Sequence, residues 1–146
     1  AQVGNPKAFV FAKPQVRNLD LSFSGLKTSV LYFLQKQSPE FIQENLNDLC
    51  ASVQLTIIEI LLKKLKKAMQ ETGIKEVCIA GGVSANIGLR KAMEQLGKDT
   101  HSAIFLPKFE YCTDNAAMIA ITAHFKYIAG SFEPLTTSAS ARSSWA

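Results

Sequence analysis

Val77–Asn86 reads VCIAGGVSAN, four apolar residues that run into two glycines and then into a helix start. The hydrophobic period changes here. Val77-Cys78-Ile79-Ala80 is short and continuous enough for a buried strand. From Ala85 to Leu96, Leu89, Ala92, Met93 and Leu96 fall at helical steps, with Gly97 placed to cap the helix. The pattern repeats once. Ala103–Leu106 is expected as a second strand stopped at Pro107, Lys108–Thr113 as a loop, and about Asp114 to Ile128 as a last helix capped by Gly130. A strand–helix–strand–helix succession implies an α/β fold, with a parallel or mixed sheet flanked by helices.

Upstream, the strongest signal runs from Asn47 to Thr72. Leu49, Cys50, Val53, Ile57, Ile60, Leu61, Leu65 and Ala68 make one helical stripe, with Asn47 as expected N-cap and Gly73 at C′. Such a helix is roughly 39 Å long. Lys63, Lys64, Lys66 and Lys67 crowd its end. They read as a solvated face complementing the helix dipole, with an RNA-contacting patch as the alternative. Residues 8–14 (AFVFAKP) and Leu21–Phe23 are expected as short strands, and Leu26–Gln35 as a helix. Ser38-Pro39 suits a helix start. The last sixteen residues, rich in Ser, Thr and Ala, are expected to form a loosely held tail, leaving residues 1–130 as the folded unit.

The chain has 146 residues, which suits one domain, large enough to bury roughly 68% of its unfolded surface. Hydrophobic residues at 47% and charged residues at 19% exclude a disordered chain, and 5 Pro with 8 Gly exclude collagen-like and linker-dominated ones. Sixteen Lys and Arg against twelve Asp and Glu give +4, which permits a polyanionic partner without requiring one. Cys50, Cys78 and Cys112 are too scattered for a disulfide framework or a zinc knuckle, so a reduced, cytoplasmic setting is expected. No apolar run reaches membrane-spanning length, so no membrane partner is expected. Ala1 is not Met and no signal-peptide pattern follows, so the chain is expected to be processed or part of something longer.

Three stretches can carry chemistry. Gly81 and Gly82 let the backbone approach a ligand, and a following helix N-terminus offers N–H groups to an anion. The same glycines also suit a tight turn that only packs strand on helix. The spacing is neither a Walker A loop nor a Rossmann fingerprint. Gly82-Val83-Ser84-Ala85-Asn86 resembles a nucleophile elbow, and Ser84, Asp114 and His124 follow α/β-hydrolase order. Asp114 and His124, ten residues apart on one expected helix, lie roughly 15 Å apart and cannot form a triad. His124 then reads as a surface or core-edge histidine and His101 as a loop residue. Asp114, at the mouth of the last helix, is either its N-cap or a metal-binding carboxylate, and one carboxylate alone makes no metal site. Ser24 and Lys27, in SFSGLKT, either line a nucleotide cleft or belong to a capped helix start.

Taken in order, FSGLKT, IAGGVSAN and YCTDNAAMIA resemble the C-terminal half of the TsaD family. These are tRNA adenosine threonylcarbamoyltransferases, long labelled O-sialoglycoprotein endopeptidases or glycoproteases. The resemblance runs from about Gly4-Asn5-Pro6 to Gly130. It implies one lobe of an actin-like ATPase fold of the sugar-kinase and chaperone type. It implies Gly81 and Gly82 against the phosphates of ATP, ADP or a threonylcarbamoyl-adenylate, Asn86 against the ligand, and Ser24 and Lys27 lining the cleft. Asp114 would bind one divalent metal, Fe or Zn, shared with a first lobe that supplies a His-x-x-x-His pair absent here. The implied reaction moves a threonylcarbamoyl group to N6 of an adenosine beside a tRNA anticodon. The implied partners are tRNA and TsaB, TsaE and TsaC-type proteins. With half a cleft, the chain alone is expected to fold without catalysing, to expose an apolar face and to self-associate. A metallopeptidase activity, as in the older label, lacks its His-Glu-x-x-His here. A non-catalytic scaffold and a sugar- or acetate-kinase relative are the remaining alternatives.

Overall fold

Leu49, Val53, Ile57, Ile60 and Leu61 recur at helical spacing, and the chain forms α3 over Leu46–Thr72, 27 residues or roughly 40 Å long. It is the spine of the structure, a computed structural model that describes residues 1–138. Two shorter helices precede it, α1 (Ser24–Leu34) and α2 (Pro39–Glu44). The Ser38 side chain accepts from the Phe41 amide at 3.2 Å and caps α2, with Pro39 in its first turn. The expected cap at Asn47 moves to Asn45, because α2 ends where α3 begins and one residue serves both. Its side-chain amide donates back to the Phe41 carbonyl at 2.9 Å. Gly73, at φ +70°, ends α3 in the left-handed conformation that glycine adopts without strain.

Two hydrophobic cores lie along α3. Leu49 and Ile60 bury with Phe11 and Leu26, against which Phe9, Val30, Phe33, Leu34 and Ile42 pack. Phe33 takes Phe9 and Phe11 edge-on, with centroids 5.3 and 5.6 Å away. Ile58 buries with Leu89, Met93 and Leu96 and collects Val77, Ile79 and Ile104. The second core joins α3 to the strands β1 (Glu76–Cys78) and β2 (Ala103–Phe105) and to α4 (Ile87–Thr100) between them. β1 and β2 are parallel, with Val77 opposite Ile104. The fold is thus α/β. Among the described residues the sheet has two strands, both parallel, rather than the mixed alternative. The register puts Val77 and Ile104 on the core face and leaves Glu76, Cys78, Ala103 and Phe105 outward.

Three further expectations change. Residues 8–14 form an extended loop and no strand. The Phe9 and Ala12 amides are taken by the Ser52 and Ser29 hydroxyls, at 3.1 and 3.2 Å, so no ladder is available. Leu21–Phe23 is no strand either, and Phe23 occupies the cap position of α1. The lysine cluster is more than a solvated face, since Lys64 Nζ donates to the Val16 and Asn18 carbonyls at 2.8 and 2.7 Å. That clamp holds the loop where Asn18 takes φ +53°.

The last helix, α5 (Ala116–Ile128), has no buried residue, and Ile119 and Phe125 are 73% and 63% exposed. Residues 139–146 of the expected tail lie outside the described residues. Met118, Ile121, Tyr127 and Ile128 are exposed as well, and an apolar surface of this extent favours association. The isolated chain is expected to dimerise or aggregate in light scattering at high concentration, and a monodisperse monomer would count against this. No helix among the described residues is long and apolar enough to cross a membrane.

Candidate functional site

Parallel strands deliver their carboxyl ends to one side, so the turn after β1 and the loop after β2 leave the sheet next to each other. In open α/β sheets ligands bind at that edge. The turn is fixed by Gly81, whose φ of +78° requires glycine. Its carbonyl accepts from the Ser84 amide at 2.9 Å and the Ser84 hydroxyl at 2.7 Å. Ser84 is buried and its hydroxyl is committed, so the elbow-like spacing yields no exposed nucleophile. The strand does not pass directly into α4, as the sequence suggests. Gly82–Ala85 first makes one 3-10 turn.

Asn86 then caps α4 with its own side chain. Oδ1 accepts from the Leu89 amide at 2.9 Å, and Nδ2 donates to Gln54 Oε1 of α3 at 3.0 Å. Asn86 is therefore a structural joint wherever else it reaches. Asn86→Asp keeps the cap and loses the donation to Gln54, whereas Asn86→Ala loses both. Alanine is expected to cost about 1–2 kcal/mol of stability and aspartate less, read by thermal melting.

Gly82 is different. Its φ is not positive, and a Cβ built on it meets no heavy atom within 4 Å. Neither backbone strain nor internal packing calls for glycine there. By contrast, a Cβ on Gly88 would come within 2.8 Å of the Gln54 amide and 3.2 Å of Ile58. Gly88 is explained by the close approach of α4 to α3.

One residue that the sequence reading passed over ties the turn to the neighbouring loop. Arg90 Nη1 donates to the Ser84 carbonyl at 2.8 Å, and Nη2 donates to the Pro107 carbonyl at 2.6 Å. Nη1 also reaches the buried Cys112 thiol at 3.8 Å, and the guanidinium lies 4.4 Å from the centre of the Phe109 ring. Its only sequence signal was a charged residue one step from Leu89 on the inward face.

Asp114 follows this tied loop by two residues. It is exposed, and Asn115 rather than Asp114 caps α5, its Oδ1 accepting from the Met118 amide at 3.0 Å. The carboxylate takes part in none of the ion pairs among the described residues. No group of three His, Cys, Asp or Glu side chains among those residues could hold a metal. The described residues on their own therefore do not complete a metal site, to which Asp114 could bring one carboxylate. Ser24 and Lys27 are exposed on the first turn of α1, which packs with the first core. An open apolar groove of about 490 Å³ runs along α3 between Val30 and Leu34 of α1 on one wall and Val83 and Asn86 on the other. Ser24 and Lys27 do not line it.

The TsaD family model, described as tRNA N6-adenosine threonylcarbamoyltransferase, matches residues 1–121. The chain belongs to the TsaD family. Proteins named tRNA N6-adenosine threonylcarbamoyltransferase from Riemerella anatipestifer and Christiangramia forsetii are 57% and 54% identical to it over 145 residues. The match takes in 97% of this chain and 42% and 43% of those TsaD proteins. The relative of the same name from Porphyromonas gingivalis is 52% identical over 138 residues, 92% of this chain and 40% of its own length. The chain thus spans about two fifths of the TsaD relatives it matches.

Proposed function

We propose that this chain is the nucleotide-facing part of a longer tRNA-modifying transferase, which moves a threonylcarbamoyl group from its adenylate to N6 of an adenosine beside the tRNA anticodon. The longer protein would have an actin-like ATPase fold, with this segment forming most of its second lobe. The observation that carries the reading is the empty space over Gly82, at the carboxyl end of a parallel strand pair, where no internal cause asks for glycine. A backbone without a Cβ there lets an anionic group of ATP, ADP or the adenylate come within hydrogen-bonding distance of the main chain.

In this reading each residue has a limited task. Gly81 sets the turn and Gly82 leaves the approach open. Asn86 holds α4 at its start and keeps one amide hydrogen for a ligand. Asp114 stands at the neighbouring loop as one carboxylate of a divalent metal site whose other ligands come from the remainder of the longer protein. Such a metal would, when bound, supply Lewis-acid polarisation of a carbonyl. Ser24 and Lys27 enter the cleft only if the remainder of the protein closes over α1. tRNA, and proteins of the TsaB, TsaE and TsaC types, are partners of the longer protein.

Calorimetry with ATP and ADP on the full-length protein tests the reading, with binding as the expected result. Absence of binding to either nucleotide would favour a scaffold whose turns only pack. The 146 residues alone are expected to transfer no carbamoyl group, and transfer by them would refute the half-cleft reading.

A further inference from the structure

We infer that Arg90 is a positioning residue that holds the Gly81–Ser84 turn and the Pro107–Cys112 loop in one register, and so sets where Asp114 stands relative to Gly82. The inference rests on the reading that turn and loop face one ligand. Four contacts converge on a single guanidinium, the Cys112 thiol being the longest at 3.8 Å. Two carbonyls that no strand uses, Ser84 and Pro107, each accept from a different nitrogen, and the Phe109 ring lies against the same plane. The donors of arginine sit in a rigid fork, so both carbonyls are fixed relative to each other as well as to α4. Partial burial among these partners strengthens each bond relative to water.

Besides Arg90, the loop is held by Leu106, which packs on the second core, and by the Cys112 thiol, which donates to the Lys108 carbonyl at 3.5 Å. Phe109–Tyr111 is a single 3-10 turn, closed by the Tyr111 amide on Lys108 at 2.9 Å and the Cys112 amide on Phe109 at 3.2 Å. The Phe109 and Tyr111 side chains are exposed, and only Cys112 is buried. Without Arg90, the segment between β2 and α5 keeps its local turn and the Leu106 contact and loses its tie to the Gly81–Ser84 turn.

Lysine at this position keeps the charge and reaches one carbonyl, whereas methionine keeps the length and reaches none. The test uses the full-length protein with Arg90→Met, Arg90→Lys and Phe33→Leu. The last variant disturbs the first core, away from the turn, and controls for lost stability. Hydrogen exchange at the Tyr111 and Cys112 amides is expected to speed up in Arg90→Met and not in Phe33→Leu. ATP affinity is expected to fall about tenfold in Arg90→Met and about threefold in Arg90→Lys, and to hold in Phe33→Leu. Unchanged exchange in Arg90→Met would overturn the clamp. Faster exchange with unchanged ATP affinity would overturn the positioning role and leave a structural tie. Failure of the wild type to bind ATP would overturn the functional reading and the positioning role with it, while exchange alone would still report the clamp.

Discussion

Gly82→Val in the full-length protein is expected to weaken ATP binding by roughly a hundredfold, about 2.7 kcal/mol, and to leave the melting temperature almost unchanged. The two halves of that result have separate causes. A valine Cβ at residue 82 meets no heavy atom within 4 Å beyond its two chain neighbours, and the backbone there is not in the left-handed region. Exposed substitutions of that kind move stability by about 0.5 kcal/mol or less, and removing a glycine restrains the unfolded chain slightly in favour of folding. A phosphate held by main-chain amides, however, sits at a nitrogen–oxygen distance of about 2.9 Å, where the valine methyl groups would stand. Gly81→Val supplies the contrast. At φ +78°, a β-branched residue is strained by about 1–3 kcal/mol, so that variant is expected to lose stability as well as ligand. Calorimetry and thermal melting on both variants separate the two glycines. If Gly82→Val bound ATP as tightly as the wild type, the open space over residue 82 would have no ligand to explain it.

The elements that long periodic patterns announce were legible. α3 is fixed by a stripe of apolar residues over seven turns, and Gly73 marks its end with the residue type that adopts the left-handed φ found there without strain. The two strands of the sheet and the inward face of α4 also follow from their spacing. Strands without a neighbour were not legible as absent. Residues 8–14 have strand composition, but a strand exists only by its ladder, and here serine hydroxyls from α1 and α3 take the amides instead. In the site, the turn was visible because two adjacent glycines after an apolar run have few causes. Arg90 was not, because its partners are carbonyls, which every residue has and no sequence marks. The family resemblance supplied a function but did not place Asn86 as a helix cap or Asn115 ahead of Asp114. Those assignments depend on which of two neighbouring polar residues reaches an amide.

Gly97→Val is expected to destabilise the fold by about 2–3 kcal/mol, lowering the melting temperature by roughly 6–12 °C. Helix propensity alone predicts the opposite sign, because glycine inside a helix is about 1 kcal/mol worse than alanine and valine recovers part of that difference. The sequence places Gly97 as the cap of α4, where glycine would serve a left-handed turn rather than a close packing contact. The structure instead runs α4 on to Thr100 and ends it at His101, at φ +51°. That leaves Gly97 buried in the last turn, facing β2. A Cβ there would stand 2.6 Å from Ile104 Cγ1 and 2.9 Å from the Ser102 carbonyl oxygen. The first atom lies at the root of a side chain packed in the second core, and the second is main chain, so neither can retreat without moving β2 off α4. β2 carries the loop that Arg90 ties to the Gly81–Ser84 turn, so the same displacement reaches the sheet edge where the ligand is proposed to bind. Thermal melting of Gly97→Ala and Gly97→Val decides between the two accounts. A rise in melting temperature for both would mean that glycine is there only as a poor helix former. A graded fall, larger for valine, is the result expected from the close approach of α4 to β2.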